Sequence, residues 1–310
     1  MDIEGEFSNE ADFHYNYEYH VRQASYTVAQ FIKDYKPEFG ITLGSGMGYI
    51  ANLIKDAKTL DYSQIPSFPV PQMPGHEGKL VVGRLEGVDV LCFKGRKHYY
   101  EMADEPFNNG IRKAVFPIHM LAELEVKNYF ATNAAGGLNL DYCVGDIMLI
   151  SSHINMIPNA LLGRHLAFNR VDNGKPTERF QPMNEAYDPE LRKLFLSAAK
   201  KYKDRVHEGV LLGVTGPTYE TDAEGLFFRK GLGADAVGTS VTPEVIVARN
   251  RGMKAVAFSC ITDVIEEDGT NTATHEQVVS VLHSPEVNQR FESIVRTFFR
   301  LYRETIQQPL

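Results

Sequence analysis

Hydrophobic residues follow two different spacings along this chain, and segments of the two kinds alternate. Between residues 19 and 33 apolar side chains recur every three or four positions, which predicts an amphipathic helix. Elsewhere the apolar residues form short runs rich in β-branched side chains, which are typical of buried strands. These runs are GITL, KLVVGRL, VDVLCFKG, KNYFATN, DIMLISSHIN, GVLLGVTG, ADAVGTS and KAVAFSCIT.

Further stretches of helical spacing are interspersed with the predicted strands, at residues 108–125, 188–202, 220–231, 243–251 and 274–303. We expect Pro117 to kink or split its helix because proline lacks an amide proton. The alternation predicts an α/β fold, a single domain with a central mixed, twisted sheet flanked by helices. Residues 1–15 are polar and acidic, so we expect a flexible tail there and one domain over residues 16–310.

Composition narrows the class of protein. The chain has 310 residues, of which 43% are hydrophobic, and a formal charge of −8. These values are typical of a globular protein, and no basic stripe suggests a nucleic-acid partner. Because the apolar runs are short, we expect no membrane span and no signal peptide. Three scattered cysteines favour a cytoplasmic setting. The His, Asp and Glu spacings do not predict a metal site, and we expect no cofactor.

The loop GSGMG follows the predicted strand GITL. Its glycines lack the G-x-G-x-x-G spacing of a dinucleotide site, and no Gly-Lys-Ser/Thr follows as in a nucleotide-binding P-loop. What remains is a set of backbone N–H groups with the Ser45 hydroxyl, which can hold one anion at the start of a helix. A tight turn without a ligand explains the loop equally well.

The segment KGRKHYYE follows the buried run VDVLCF. Arg96, His98 and Tyr100 alternate, so on an extended backbone they face the same side. Arginine offers a planar fork for phosphate oxygens, and histidine can add one more hydrogen bond. An exposed basic edge strand is the alternative interpretation.

Two other predicted strands end in residues that suit a ligand. In TNAAGG, small residues let a ligand approach the backbone, and Asn133 can position a hydroxyl or phosphate; close packing is the alternative. In TGPTYE, Tyr219 can stack on a flat ring and Glu220 can accept from ring N–H groups. A helix N-terminus with Glu in its first turn is the alternative interpretation, and TGPTYE by itself favours it.

Five further residues have side chains that could bind a ligand, but their sequence neighbours do not indicate a single role. Ser240 supplies a hydroxyl after ADAVG, and Thr262 and Asp263 end the strand that follows. His275 begins a predicted helix, where it faces either solvent or a site. His76 lies in the loop MPGHEG, and most loop histidines of this kind are simply solvated.

In their order and spacing, these segments resemble the trimeric purine nucleoside phosphorylases, a family closely related to the methylthioadenosine phosphorylases. The similarity runs from about Tyr17 to Leu301. It implies a homotrimer that uses orthophosphate to convert a purine (deoxy)ribonucleoside, such as inosine or guanosine, to free base and (deoxy)ribose 1-phosphate. The segments that carry it are GSGMG, PGHEGKLVVG, GRKHYYE, TNAAGGLN, VGDIMLISSHIN, ERFQPMNEAYD, GPTYET, GADAVGTSVTPEVIVAR and ITD.

The resemblance also implies a role for individual residues. The residues expected to hold phosphate, with the histidine of the MPGHEG loop closing over it, are Ser45, His76, Arg96, His98, Asn133, Ala134 and Ser240. Those expected around the ribose are Tyr100, Thr239, His275 and, from a neighbouring subunit, Phe180. Those expected around the base are Tyr219, Glu220, Val237, Thr262 and Asp263. The expected catalytic residues are His98, Glu220, Asp263 and His275.

Two positions depart from the family pattern. Asp263 stands where enzymes that prefer 6-oxopurines usually carry Asn; a carboxylate accepts from a 6-amino group and donates only when protonated. Because Glu220 suits the N1–H of a 6-oxopurine, we expect activity on both substrate types. Thr239 replaces a Met that many relatives place under the ribose, which leaves the 5′ specificity open. A methylthioadenosine phosphorylase and a nucleoside-binding protein without turnover are the alternative hypotheses.

Overall fold

The computed structural model describes residues 3–73, 76–162, 171–172, 175–176 and 180–307. Its strands are β1 (Phe39–Leu43), β2 (Lys55–Asp61), β3 (Lys79–Leu85), β4 (Val88–Lys94), β5 (Asn128–Gly137), β6 (Ile147–Asn155), β7 (Val171–Asp172), β8 (Lys175–Pro176), β9 (Val206–Gly213), β10 (Ala236–Gly238) and β11 (Lys254–Val264). Its α-helices are α1 (Ile3–Tyr15), α2 (Tyr17–Ile32), α3 (Asn109–Glu123), α4 (Pro189–Ala198), α5 (Asp222–Leu226), α6 (Thr242–Asn250), α7 (His275–Leu282) and α8 (Pro285–Gln307). Short helical turns lie at Gly48–Leu53, Tyr62–Gln64, Tyr99–Glu101, Pro106–Asn108, Lys200–Arg205 and Phe227–Gly231.

In this part of the chain nine strands form one mixed sheet, in the order β10-β9-β6-β11-β5-β1-β4-β3-β2. Strands β4, β1, β5 and β11 run parallel to one another, so their carboxyl ends lie at the same edge. Strand β10 also pairs antiparallel with β5, through Ala236–Gly137 and Val237–Gly136. This extra pairing closes five strands into a ring, and the predicted mixed α/β fold is confirmed.

Helices cover both faces of the sheet. Successive residues of β5 point to opposite faces, as strand geometry requires, so that Tyr129 packs in one hydrophobic cluster and Phe130 in the other. Helices α2, α3 and α6 contribute to the first cluster, for example through Val115. Helices α4 and α8 contribute to the second, through side chains such as Phe195 and Phe298. The strands that end at the predicted site are therefore covered by hydrophobic clusters on both faces of the sheet.

Three elements differ from the predicted pattern. Strand β2 was not predicted because it is an edge strand with mostly exposed residues, and it shows no apolar alternation. The helix expected over 274–303 is two helices, with α8 beginning at Pro285, a residue suited to a first turn. Helix α3 runs unbroken through Pro117, so the expected split does not occur.

Residues 1–15 also differ from the solvated tail that composition suggests, since α1 occupies Ile3–Tyr15. The Phe13 side chain is 5% exposed and stacks on Phe116, with ring centroids 6.0 Å apart. Lys113 of α3 forms an ion pair with Glu10. These contacts join α1 to α3.

None of the helices in the described residues combines the length and the apolar character that a membrane span requires.

Candidate active site

The ends of β1 and β4 bring four predicted residues together. Ser45 follows β1 and Arg96 follows β4, and these neighbouring strands end at the same edge because they are parallel. His76 Nε2 lies 3.0 Å from Ser45 Oγ, and the Arg96 backbone N–H donates to His76 Nδ1 at 2.9 Å. The His98 ring meets the His76 ring edge to face, with centroids 5.2 Å apart. We call Ser45, His76, Arg96 and His98 the donor cluster.

Arg96 is fixed by a buried carboxylate. Its Nε and Nη2 donate to Glu244 Oε1 at 2.7 Å and Oε2 at 3.2 Å, and its Nη1 donates to the Thr132 carbonyl at 2.8 Å. The Tyr129 hydroxyl donates to Glu244 Oε2 at 2.8 Å and so holds the carboxylate in turn. A guanidinium has five N–H groups, and two of these have no partner among the described residues. Those two N–H groups are available to an anion.

Glu101 determines which nitrogen of His98 can meet a ligand. Glu101 Oε1 accepts from the His98 backbone N–H at 2.7 Å and lies 3.3 Å from Nδ1. Burial raises the pKa of Glu101, but hydrogen bonds from His98 and Gln72 outweigh burial and hold that pKa below its ordinary value. An ionised carboxylate can only accept, so Nδ1 carries the proton. Nε2 of His98 is therefore the ring atom left for a ligand.

Ser240 shares a cavity with two members of the donor cluster. Arg96, His98, Thr239 and Ser240 contribute to the lining of this cavity. Ser240 is buried. Its hydroxyl takes part in no hydrogen bond among the described residues, which leaves its proton for a ligand.

The chain turns sharply between Ser240 and Glu244. Val241 has φ 71° and ψ −50°, and the Thr242 N–H donates to the Ser240 carbonyl at 2.9 Å. This is a γ-turn of the rare, strained kind, with a β-branched residue at its centre. The turn places Ser240 and Glu244 so that both reach the neighbourhood of Arg96.

Asn133 supports the backbone of β5 with its side chain. Its Oδ1 accepts from Ser259 Oγ at 2.8 Å, and its Nδ2 donates to the Ala134 carbonyl at 3.0 Å. A Cβ on Gly238 would lie only 2.8 Å from that Nδ2, so the position must stay open. Because the amide group is engaged at both ends, a ligand here would meet the backbone at Asn133–Ala134.

Strands β10 and β11 bring the base-side residues to Gly136 of β5, since Val237 and Asp263 both pair with it. The β11 register shifts between Ile261 and Asp263, and a bulge of this kind re-aims the side chains beside it. Thr262 Oγ1 donates to Asp263 Oδ1 at 2.8 Å, whereas Oδ2 is buried without a hydrogen-bond partner among the described residues. Burial raises the pKa of Asp263, against the opposing effect of the Thr262 hydrogen bond.

Glu220 and Tyr219 lie close enough to Asp263 for its charge to act on both. Burial is the main cause of the raised pKa of Glu220, and the Asp263 charge adds to it. Asn271 Nδ2 donates to Glu220 Oε2 at 3.3 Å and opposes the rise. The pKa of Tyr219 is raised by burial and by both carboxylates. Two carboxyl groups of raised pKa beside an aromatic ring suit the polar edge of a flat heterocycle.

The predicted sugar residues are only partly brought together. The Tyr100 ring stacks on His98 with centroids 5.0 Å apart. A Cβ on Gly216 would lie 2.8 Å from Thr239 Cγ2 and 3.3 Å from Tyr100 Cδ1, so these side chains are neighbours. Phe180 is 85% exposed, and His275 is exposed at the start of α7. Among the described residues, no hydrogen bond or ring contact joins either of them to the rest.

Three carboxylate or amide residues of the site were not predicted. Glu101 lies three residues after His98, and that His-x-x-Glu spacing is a signal that could have revealed it. Glu244 is 148 positions from Arg96, so no local pattern links the two. Asn271 contacts Glu220 from a loop without periodicity.

The described residues contain no group of three or more His, Cys, Asp or Glu side chains arranged to hold a metal ion.

Comparison with known proteins places this site in context. Residues 38–300 match the family model of the phosphorylase superfamily. The chain is 39% identical over 279 residues to purine nucleoside phosphorylase 1 of Bacillus subtilis (strain 168), which covers 89% of this chain and 97% of that protein. It is 37% identical over 289 residues to the purine nucleoside phosphorylase of Bos taurus, with coverage of 91% and 94%.

Solved structures show the same similarity. The crystal structure of Schistosoma mansoni purine nucleoside phosphorylase in complex with adenosine superposes with a TM-score of 0.79 at 31% identity, covering 94% of this chain and 97% of that one. The complex of the Schistosoma mansoni enzyme with inosine gives a TM-score of 0.77 at 32% identity, with coverage of 89% and 95%.

Proposed function

The chain belongs to the phosphorylase superfamily, and on that premise we propose that it is a purine nucleoside phosphorylase. It transfers the pentosyl group of a purine nucleoside to orthophosphate and releases the free base with (deoxy)ribose 1-phosphate. One observation carries the proposal: at one sheet edge, anion donors lie near a pair of partly buried carboxyl groups. These two halves match the two ends of the reacting complex, phosphate and purine.

Orthophosphate takes the donor side in this proposal. The Ser45 and Ser240 hydroxyls and the two remaining N–H groups of Arg96 donate hydrogen bonds to it, with the Ala134 backbone. His98 Nε2, which presents a lone pair when Nδ1 carries the proton, accepts from the hydroxyl of hydrogen phosphate. Phosphate held beneath C1′ stabilises the positive character of the departing sugar and is itself the nucleophile. The protein contributes positioning and preorganised dipoles, so no covalent enzyme intermediate is needed. Glu244 offsets the Arg96 charge, and the site then binds phosphate mainly through directed hydrogen bonds.

The purine takes the carboxyl side. Glu220 accepts from the N1–H of a 6-oxopurine, while Tyr219 and Val237 contact the ring. Protonated Asp263 donates to N7 or O6, whereas ionised Asp263 accepts from a 6-amino group. The buried Oδ2 of Asp263, which has no hydrogen-bond partner among the described residues, supports a direct contact with the base. We therefore propose mixed specificity, with turnover of inosine or guanosine and also of adenosine.

The sugar lies between the two halves, against Tyr100, Thr239 and His275. Phe180 is too exposed to line the site of its own chain, and this supports its insertion into the site of a neighbouring subunit. On this basis we propose a homotrimer whose phosphorylase domain spans residues 16–310, with α1 packed against it. Three free cysteines support a cytoplasmic location.

The direct test is the phosphate dependence of inosine cleavage. Purified protein is incubated with inosine with and without added orthophosphate, and hypoxanthine and ribose 1-phosphate are quantified. We expect both products in equal amounts, and only with phosphate. Cleavage without phosphate would identify a hydrolase, and binding without cleavage would support a nucleoside-binding protein. A clear preference for methylthioadenosine in the same assay would favour a methylthioadenosine phosphorylase instead.

A further inference from the structure

We infer that His76 is a positioning residue, which directs the Ser45 hydroxyl proton at phosphate without touching phosphate itself. The inference rests on the proposed function and deepens it. It differs from the direct phosphate contact that the family resemblance implies for His76. Four observations carry it: the partner of each ring nitrogen, the protonation state of the ring and the packing around it.

The partner of Nδ1 fixes the tautomer of His76. The Arg96 backbone N–H donates to Nδ1 at 2.9 Å. A peptide N–H can only donate, so Nδ1 must present its lone pair. In the opposite tautomer two hydrogens would face each other across that distance. The neutral ring therefore carries its proton on Nε2.

The ring stays neutral at physiological pH. Burial lowers the pKa of His76 to about 3, and the charges of His98 and Arg96 act in the same direction. Protonating Nδ1 would also break its hydrogen bond with the Arg96 amide. The acceptor at Nδ1 and the donor at Nε2 thus persist across the pH range in which such an enzyme works.

The proton on Nε2 sets the direction of the Ser45 hydroxyl. Nε2 lies 3.0 Å from Ser45 Oγ, so His76 donates and Ser45 accepts. A serine hydroxyl has one proton to donate, and in this arrangement that proton cannot be used on His76. That proton is left for another acceptor, such as a bound anion. A hydroxyl oriented before the anion arrives has no rotational freedom to lose on binding, which is the advantage of a preorganised donor.

Close packing restricts the ring on two sides. Gly95 has φ +99°, and a Cβ there would lie 2.6 Å from His76 Nδ1 and 2.8 Å from its Cα. The His98 ring closes a second side, edge to face at 86°. Both ring nitrogens are then in use, one by Arg96 and one by Ser45. The ring keeps no donor for phosphate, so its effect on phosphate has to pass through Ser45.

A double-mutant cycle on phosphate affinity distinguishes indirect from direct action. The binding of inorganic phosphate is measured by calorimetry on the full-length protein, with the phosphate KM for inosine in parallel. We expect His76→Ala to weaken phosphate binding about threefold to tenfold, the range for one hydrogen bond. In a Ser45→Ala background the same change should cost less than about twofold. A loss equal to the product of the two single effects would overturn the inference.

Ser240 provides the matched control, since it is a phosphate-side hydroxyl without a hydrogen bond to His76. The combination of Ser240→Ala with His76→Ala should therefore show the full product of the single effects. Non-additivity of the same size in this pair would mean that His76 acts through general disruption, and would overturn the inference.

Two conservative variants cover the case in which the alanine variant fails to fold. The amide nitrogen of His76→Gln reaches the place of Nε2, whereas His76→Asn reaches only that of Nδ1. We expect the Gln variant to retain phosphate affinity within about threefold and the Asn variant to lose as much as one hydrogen bond provides. The reverse order would contradict the inference.

Nitrogen-15 NMR of the histidines separates this inference from the proposed function. We expect a His76 ring that is protonated at Nε2 and bare at Nδ1 at pH 7, whether or not inosine is turned over. Proton occupancy at Nδ1 would overturn the positioning role. Absence of phosphate-dependent inosine cleavage in an otherwise correctly protonated protein would overturn the proposed function alone.

Discussion

Replacing Arg96 by alanine should lower both the stability of the protein and its affinity for phosphate. The two effects are distinct because Arg96 pairs with Glu244 inside the protein and with phosphate in the proposed site. Arg96 and Glu244 are 5% and 6% exposed, so the variant leaves a buried carboxylate whose guanidinium partner is gone. Removing one member of a buried pair costs about 3–5 kcal/mol. With an unfolding entropy of about 2.1 cal/mol/K per residue, that loss lowers the Tm by about 5–8 °C for a chain of this length.

The effect on phosphate follows from the two Arg96 N–H groups that remain after the bonds to Glu244 and Thr132. Hydrogen bonds to a charged partner contribute about 1.5–3 kcal/mol. Their loss should therefore raise the phosphate KM roughly 10- to 150-fold. Arg96 does not reach the base side, so the inosine KM should change by less than about threefold.

The assay is a steady-state matrix in which phosphate and inosine are varied in turn, together with thermal unfolding. The double variant Arg96→Met with Glu244→Gln is the matched control, because it removes both buried charges. It should recover most of the lost Tm, since an uncharged pair leaves no carboxylate unpaired, while its phosphate KM stays high. An unchanged phosphate KM in Arg96→Ala, or an equal rise in the inosine KM, would exclude Arg96 as a phosphate ligand.

Three further predictions concern single positions. Asp263→Asn should lower adenosine turnover relative to inosine. In the unaltered protein the adenosine-to-inosine ratio of kcat/KM should rise as pH increases through the raised pKa of Asp263. The ionised carboxylate accepts from a 6-amino group, whereas the protonated carboxyl donates to a 6-oxo group. A pH-independent ratio would contradict this. Glu101→Gln should raise the phosphate KM about threefold to tenfold by weakening its hold on His98, and an effect confined to the inosine KM would argue against that contact. Gly95→Ala should lower stability by about 1–3 kcal/mol because of its positive φ and a clash with the adjacent imidazole; Gly252→Ala, which has φ +76° and open space, is the control for strain alone, and equal losses in both variants would exclude the clash.

Much of the fold could be predicted because buried elements leave a pattern in the chain. The runs around β4 and β5 are apolar since both faces of the sheet are covered. Strand β2 leaves no such pattern, because its side chains face solvent and only its backbone pairs with β3. Helix α1 is held by a few side chains, among them Glu10, Phe13 and His14, and only Phe13 of these is apolar, so the segment shows no hydrophobic period.

The site was predictable to the extent that strand ends define it. Ser45, Arg96 and Ser240 each follow a predicted strand, and parallel pairing explains why the first two meet. The ion pair between Arg96 and Glu244 depends on the γ-turn at Val241, which precedes Glu244 by three residues. Valine disfavours the positive φ of this turn, so the sequence does not predict it. Contacts that depend on such a turn, across 148 positions, leave no local signal.

We expect one phosphate to lie where Ser45, Arg96 and Ser240 converge, and a crystal structure of the protein soaked in phosphate shows whether it does. The expected result is a single tetrahedral anion that accepts from both hydroxyls and from the guanidinium. An empty site, or an anion bound elsewhere with these three side chains directed to separate places, would contradict it.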